Sequence, residues 1–160
     1  MVEVRVEAIL IDSSTNSPVA LLREKGGDRV LPIFIGPMEA AAIAYALEGT
    51  QFARPLTLDL MRLIIRGLGG RVARVIVTRL EDDTFYAEVV VESSGKVITI
   101  DARPSDSIGL ALRDAAPIYV DEAVMDRAAQ YVSPDDEQRL AEMRSRLRSM
   151  NPEDFGDCRM

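Results

Sequence analysis

Apolar and polar residues alternate from Val2 to Asp12, with Val2, Val4, Val6, Ala8 and Leu10 on one side and Glu3, Arg5 and Glu7 on the other. A period of two sends successive side chains to opposite faces, so this stretch predicts a half-exposed strand. The polar cluster Ser13 to Pro18 predicts a turn. Val19–Glu24, the turn Lys25-Gly26-Gly27-Asp28 and Arg29–Ile35 then complete an antiparallel three-stranded start. Gly36-Pro37 ends the third strand and puts Pro at the first position of a helix through Glu48, with Glu39 in its first turn and Gly49 as its stop. Ala40, Ala41, Ala42, Ala44 and Ala46 keep that helix slim, able to lie close against a sheet, another helix or a second subunit.

A second helix is predicted from about Thr57, as cap, to Leu68, with Leu60, Leu63, Ile64 and Leu68 at helical spacing. Gly67 to Gly70 stops it. Arg71–Leu80, the turn Glu81 to Thr84, Phe85–Val91, the turn Glu92 to Gly95 and Lys96–Ile100 form a second meander. That meander runs into Asp101-Ala102-Arg103-Pro104-Ser105-Asp106, which opens an apolar helix to about Asp114. Pro104 keeps Arg103 out of the helical region, Ser105 is the candidate cap, and Asp106 in the first turn suits the helix dipole. The turn is a rigid mount for Asp101, Arg103 and Asp106, although a well-capped helix with an Arg–Asp pair accounts for the same residues without any function. Pro117 to Val120 reads as a short strand or extended edge, and Asp121 caps a helix through about Gln130. Ser133-Pro134-Asp135-Asp136 starts a last, amphipathic helix striped by Leu140, Met143, Leu147 and Met150, and Asn151-Pro152 ends it before a loose tail. The class is α+β: two three-stranded antiparallel meanders form a sheet core packed with helices, residues 1–132 are the folded unit, and 133–160 carry the C-terminal helix and tail.

Composition narrows the chemistry. The 160 residues are 48% hydrophobic, enough for one core, and no apolar run approaches the roughly 20 residues that span a bilayer. With no basic-then-apolar leader at the start, a cytoplasmic protein without membrane contact is expected. There is no histidine and one cysteine, Cys158, which removes Ser-His and Cys-His nucleophiles, the usual zinc sites and any internal disulfide. No Gly-x-Gly-x-x-Gly or Walker-type loop is present; Gly67-Leu68-Gly69-Gly70 lacks the following Lys-Ser/Thr. The net charge of −7 argues against coating nucleic acid by bulk electrostatics. Locally, the window from Arg54 to Arg79 holds six arginines against Asp59 alone. Arg62 and Arg66 share a helical face there, as a phosphate-binding stripe or simply a solvated basic surface.

Five blocks in register resemble a known family: Leu31-Pro32-Ile33-Phe34-Ile35-Gly36 with Glu39 and Ala40; Leu47-Glu48-Gly49; Arg54-Pro55-Leu56-Thr57; Phe85-Tyr86-Ala87; and Ile100 through Asp106. They resemble the bifunctional nucleases, small bacterial proteins also found fused in plants and named for DNase and RNase activity in some members. The resemblance covers about residues 2 to 130, and Pro152 to Phe155 resembles the end of some relatives. It implies an α+β fold, a homo-oligomer, most often a dimer, and a DNA or RNA substrate. One position departs from the family pattern: where relatives usually carry His between the Thr and Asp of the Arg-Pro-Leu-Thr block, this chain has Leu58.

A nuclease must hold a phosphodiester, activate water and stabilise developing charge, which a divalent metal on carboxylates can do without histidine. The candidates are Glu39, Asp59, Asp101 and Asp106 as ligands of Mg²⁺ or Mn²⁺, with Arg54 and Arg103 as phosphate clamps and Asp101, Arg103 and Asp106 at the reacting bond. Glu39, Asp59 and Asp106 also stand in first turns, where the dipole alone favours an acid. The alternative is a non-catalytic oligomeric module that binds or regulates through its grooves, which suits the alanine-rich and C-terminal helices.

Overall fold

The computed structural model describes residues 1–133 and Gln138. The predicted C-terminal helix and its stripe lie outside the described residues. The elements run β1 (Val2–Ile11), β2 (Pro18–Glu24), β3 (Arg29–Phe34), α1 (Pro37–Glu48), α2 (Thr57–Gly67), β4 (Gly70–Glu81), β5 (Thr84–Ser93), β6 (Lys96–Ala102), α3 (Pro104–Asp114), β7 (Ile118–Val120), α4 (Glu122–Ala128) and β8 (Gln130–Tyr131). The fold is α+β, and both predicted meanders are present. Two-residue turns close the second one, with Asp82 and Asp83, and Ser94 and Gly95, all at positive φ.

The meanders are not separate. They join through β7 into one eight-stranded sheet of order β6-β5-β4-β7-β1-β2-β3-β8. The segment expected at an edge is therefore central: β7 pairs antiparallel with β1 and parallel with β4. The amide of Val75 reaches Pro117 O at 3.1 Å and the amide of Asp121 reaches Val77 O at 2.9 Å, extending the pairing beyond the three strand residues at both ends. Pro117 keeps its acceptor while lacking a donor, so it can stand at the mouth of an inner strand.

Three helices cover one face. α3 packs on β4 and β5 and is flanked by α1 and α2, while α4 contacts β3 and β4. Val75, Val77 and Val120 of the sheet, Ile43 of α1, Ile108 and Leu110 of α3 and Met125 of α4 are fully buried. Gly109 is where the three helices converge: a Cβ there would lie 2.5 Å from Leu58 Cδ1 and 3.9 Å from Ile43 Cγ1. Gly109→Val should therefore cost about 2 kcal/mol through overpacking. In thermal denaturation the midpoint should fall by roughly 5–8 °C; an unchanged midpoint would mean that α2 is free to slide away from α3.

Two caps differ from the sequence reading. α2 begins after Leu56, not Thr57, because the Asp59 carboxylate accepts from the Leu56 amide at 3.0 Å. α3 takes Arg103 as its N-cap residue, at φ −71° and ψ 146°, with Pro104 already helical, so Ser105 falls inside the first turn and is buried. Asp121 caps α4 as expected, accepting from Ala123 N at 2.9 Å. α4 is shorter than expected, ending at Ala128 because residues 130–131 pair with β3.

Candidate active site

The N-termini of α1 and α3 and the start of α2 border one cleft of about 890 Å³. Its floor and walls are largely apolar, with Met38, Ala41, Tyr45, Leu56, Leu58 and Met61, and its charged lining is Glu39, Arg103, Asp106 and Arg113. Both Arg-Pro junctions reach it, though differently: Pro55 precedes the α2 cap residue, whereas Pro104 is the first residue of α3. A second groove, of about 430 Å³, lies on the other side of Glu39 and Arg103 and runs past Phe34, Thr84 and Ser105. Arg103 thus stands on the ridge between two openings and is well exposed.

Arg103 is bidentate to Asp106, with Nε to Oδ2 at 2.7 Å and Nη2 to Oδ1 at 3.1 Å, while Nη1 reaches Glu39 Oε1 at 3.1 Å. Asp106 first, then Glu39, push the guanidinium pKa up, so it is a permanent cation. Local backbone geometry sets this up. The extended conformation forced on Arg103 by Pro104 lets its side chain fold back over the first turn of its own helix onto Asp106 at i+3. Glu39 comes from another helix, where its carboxylate folds back over the bare Cα of Gly36; a Cβ at Gly36 would collide with Glu39 Oε2.

Glu39, Arg103 and Asp106 are therefore brought together. The other sequence candidates are not. Asp59 gives Oδ2 to the Leu56 amide and Oδ1 to Arg113 Nε at 2.7 Å, so both oxygens hold the fold. Asp101 stands opposite Glu88 on β5, one residue on from the Ile100–Val89 pair whose valine lies in the core, so Asp101 projects from the sheet face that the helices leave bare. Arg54 is exposed and stands one residue outside the cleft lining. The expected four-carboxylate cage does not form: among the described residues there is no group of three or more Asp or Glu placed to hold a metal ion. Nor do Arg62 and Arg66 present a free phosphate stripe, since both donate to Asp114.

Sequence reasoning missed Arg113 and Asp114. The Arg113 side chain is buried and donates to Asp59, Gly109 O at 2.9 Å and Ala42 O at 3.0 Å, pinning α1, α2 and α3 around the cleft. Asp114 sits at the last position of α3, where the helix dipole disfavours an acid, and that misplacement was the available signal that another element holds it.

The bifunctional nuclease domain family model matches residues 20–133. An uncharacterised protein of Mycobacterium tuberculosis is 42% identical over 97% of this chain and 98% of its own length. Bifunctional nuclease 2 of Oryza sativa subsp. japonica is 31% identical over 69% of this chain and 35% of its own length. Bifunctional nuclease 1 of Arabidopsis thaliana is 28% identical over 71% of this chain and 36% of its own length. This chain thus spans about a third of those plant proteins.

Proposed function

Since the chain belongs to the bifunctional nuclease domain family, we propose that it is a nuclease that hydrolyses DNA or RNA phosphodiesters in the cytoplasm at the α1–α2–α3 cleft, with Arg103 as its phosphate clamp. The observation that carries this reading is the Arg103 fork held between two carboxylates at the mouth of an apolar cleft. A guanidinium fork matches a phosphate as well as it matches a carboxylate. When a phosphodiester arrives, Arg103 exchanges Asp106 and Glu39 for two non-bridging oxygens, where it offsets the charge that grows in the transition state. The exchange frees two carboxylates beside the bound phosphate. Glu39 accepts the proton of the attacking water as the bond from phosphorus to the leaving sugar oxygen breaks, and solvent protonates that oxygen. With no histidine in the chain, a carboxylate is the available base. No helix among the described residues is long and apolar enough to cross a membrane.

Glu39 and Asp106, once released by Arg103, would be the two carboxylates that hold a divalent cation. They are two hard oxygen donors around one positive charge, and Mg²⁺ commonly takes one or two carboxylates and completes its shell with water and substrate phosphate. Such an ion, Mg²⁺ or Mn²⁺, would supply Lewis acidity toward the phosphoryl oxygens.

The test is cleavage of end-labelled single-stranded DNA and RNA with Mg²⁺ or Mn²⁺, set beside a Glu39→Gln variant purified in parallel. The rate should fall about 100-fold in the variant, the usual worth of a positioned base. Equal cleavage by both proteins would identify a contaminating nuclease and leave the chain as a binding module.

A further inference from the structure

The 430 Å³ groove on the far side of Arg103 is built unlike the cleft. It lies between the end of β3 and the β4–β5 turn, and two aromatic rings, Phe34 and Phe85, line it with Ile33, Ile35 and the bare Cα of Gly36. Phe85 packs against the core, but Phe34 is 58% exposed, the most open phenylalanine among the described residues. Phe52, by contrast, meets the ring of Tyr45 edge-on at 4.8 Å between centroids. The Phe34 backbone is nevertheless fixed. It is the last residue of β3 and pairs with Val19, and the next amide, of Ile35, donates to Pro18 O at 3.0 Å. An open ring on a pinned strand end is a platform that loses little conformational freedom when a flat group settles on it.

Charge decides what settles there. Glu39, Asp83 and Arg103 are the charged lining of the groove. With Arg103 turned to a phosphate, Glu39 and Asp83 remain. Two carboxylates disfavour a second anion, while they accept readily from the amino edge of a neutral ring. Arg103 also lines both openings, so a phosphate on it leaves one neighbouring nucleoside at the cleft and the other at the groove. We propose that the groove is a nucleobase subsite, in which the base next to the phosphate on Arg103 stacks on Phe34. The proposal rests on the reading of Arg103 as a phosphate clamp and adds the residue that engages the base. A stacking platform of this kind accepts any base, since each has a π-face.

Equilibrium binding of the full-length protein tests this with two single-stranded dodecamers of equal charge, one all-adenine and one made wholly of abasic sites. A Glu39→Gln background in Mg²⁺ keeps the strands whole. Phe34→Leu should raise the dissociation constant for the adenine strand about 10-fold, the ordinary worth of one stacked base, and leave that for the abasic strand within about twofold. Arg103→Ala should weaken both strands alike, because it removes a phosphate contact. The chain has no tryptophan, so Phe34→Trp puts a single indole in the groove, and the adenine strand should quench its emission while the abasic strand does not. The proposal is overturned if Phe34→Leu leaves the adenine strand bound as tightly or weakens both strands equally, or if both strands quench the indole to the same extent. Absence of adenine-strand binding at about 1 mM overturns it too. A loss with Phe34→Leu but none with Arg103→Ala keeps Phe34 as a base platform and removes the clamp. Binding and quenching without cleavage by the wild type keep the subsite and remove the nuclease.

Discussion

Asp114→Ala is expected to destabilise the fold by about 2–4 kcal/mol at neutral pH. The Asp114 side chain is 1% exposed, and its Oδ1 accepts from Arg62 Nε at 3.1 Å and Arg66 Nη2 at 2.6 Å, while Oδ2 accepts from Val72 N at 3.0 Å. One carboxylate thus joins the end of α3 to α2 and to the start of β4. The loss falls below that of a fully buried pair because Arg62 and Arg66 are half exposed and regain water. Its pH dependence follows from the pKa. Burial pushes the carboxyl up, but hydrogen bonds from Arg66, the Val72 amide and Arg62 outweigh it and leave the group below its ordinary 3.8. A depressed pKa contributes stability that is complete above the unfolded value and is lost as pH falls through the folded one. Urea unfolding of wild type and variant should therefore differ most at pH 7, and the gap should narrow only below about pH 4. A constant gap down to pH 2 would show that the variant loses packing rather than charge.

The meanders were legible because alternation is local: a period of two along ten residues states which side chains share a face. The joining of the meanders was not, since β7 has three residues and its partners β1 and β4 lie far away in the chain. The α2 stripe shows the limit of periodicity. Spacing grouped Leu60, Leu63 and Ile64 on one side, yet the side facing the protein was decided by Asp59, Arg62 and Arg66, whose partners Arg113 and Asp114 come about fifty residues later. The candidate site divides in the same way. Arg103 with Asp106 was readable from a spacing of three and an intervening proline. Glu39 reaches them by packing of α1 on α3, which no spacing encodes. Asp101 sits beside Ile100, which shares the sheet face of Val89, and alternation by itself places Asp101 on the opposite side of β6.

Arg103→Ala is expected to lower phosphodiester cleavage by about 10²–10³-fold, the usual loss when one preorganised donor to a developing oxyanion is removed. The fold should tolerate the change. Arg103 is 65% exposed, its ion pairs with Glu39 and Asp106 are at the surface, and its backbone carbonyl continues to accept from Ser107. Arg103→Lys should recover a small part of the loss, because a point charge restores attraction but not the fork.

The decisive measurement is the single-turnover cleavage rate of an end-labelled single-stranded oligonucleotide in Mg²⁺ or Mn²⁺, for wild type and Arg103→Ala purified side by side with matched melting curves. The expected result is cleavage by the wild type and a rate at least about 100-fold lower in the variant. Equal rates, or no cleavage by either protein, would contradict a nuclease centred on Arg103.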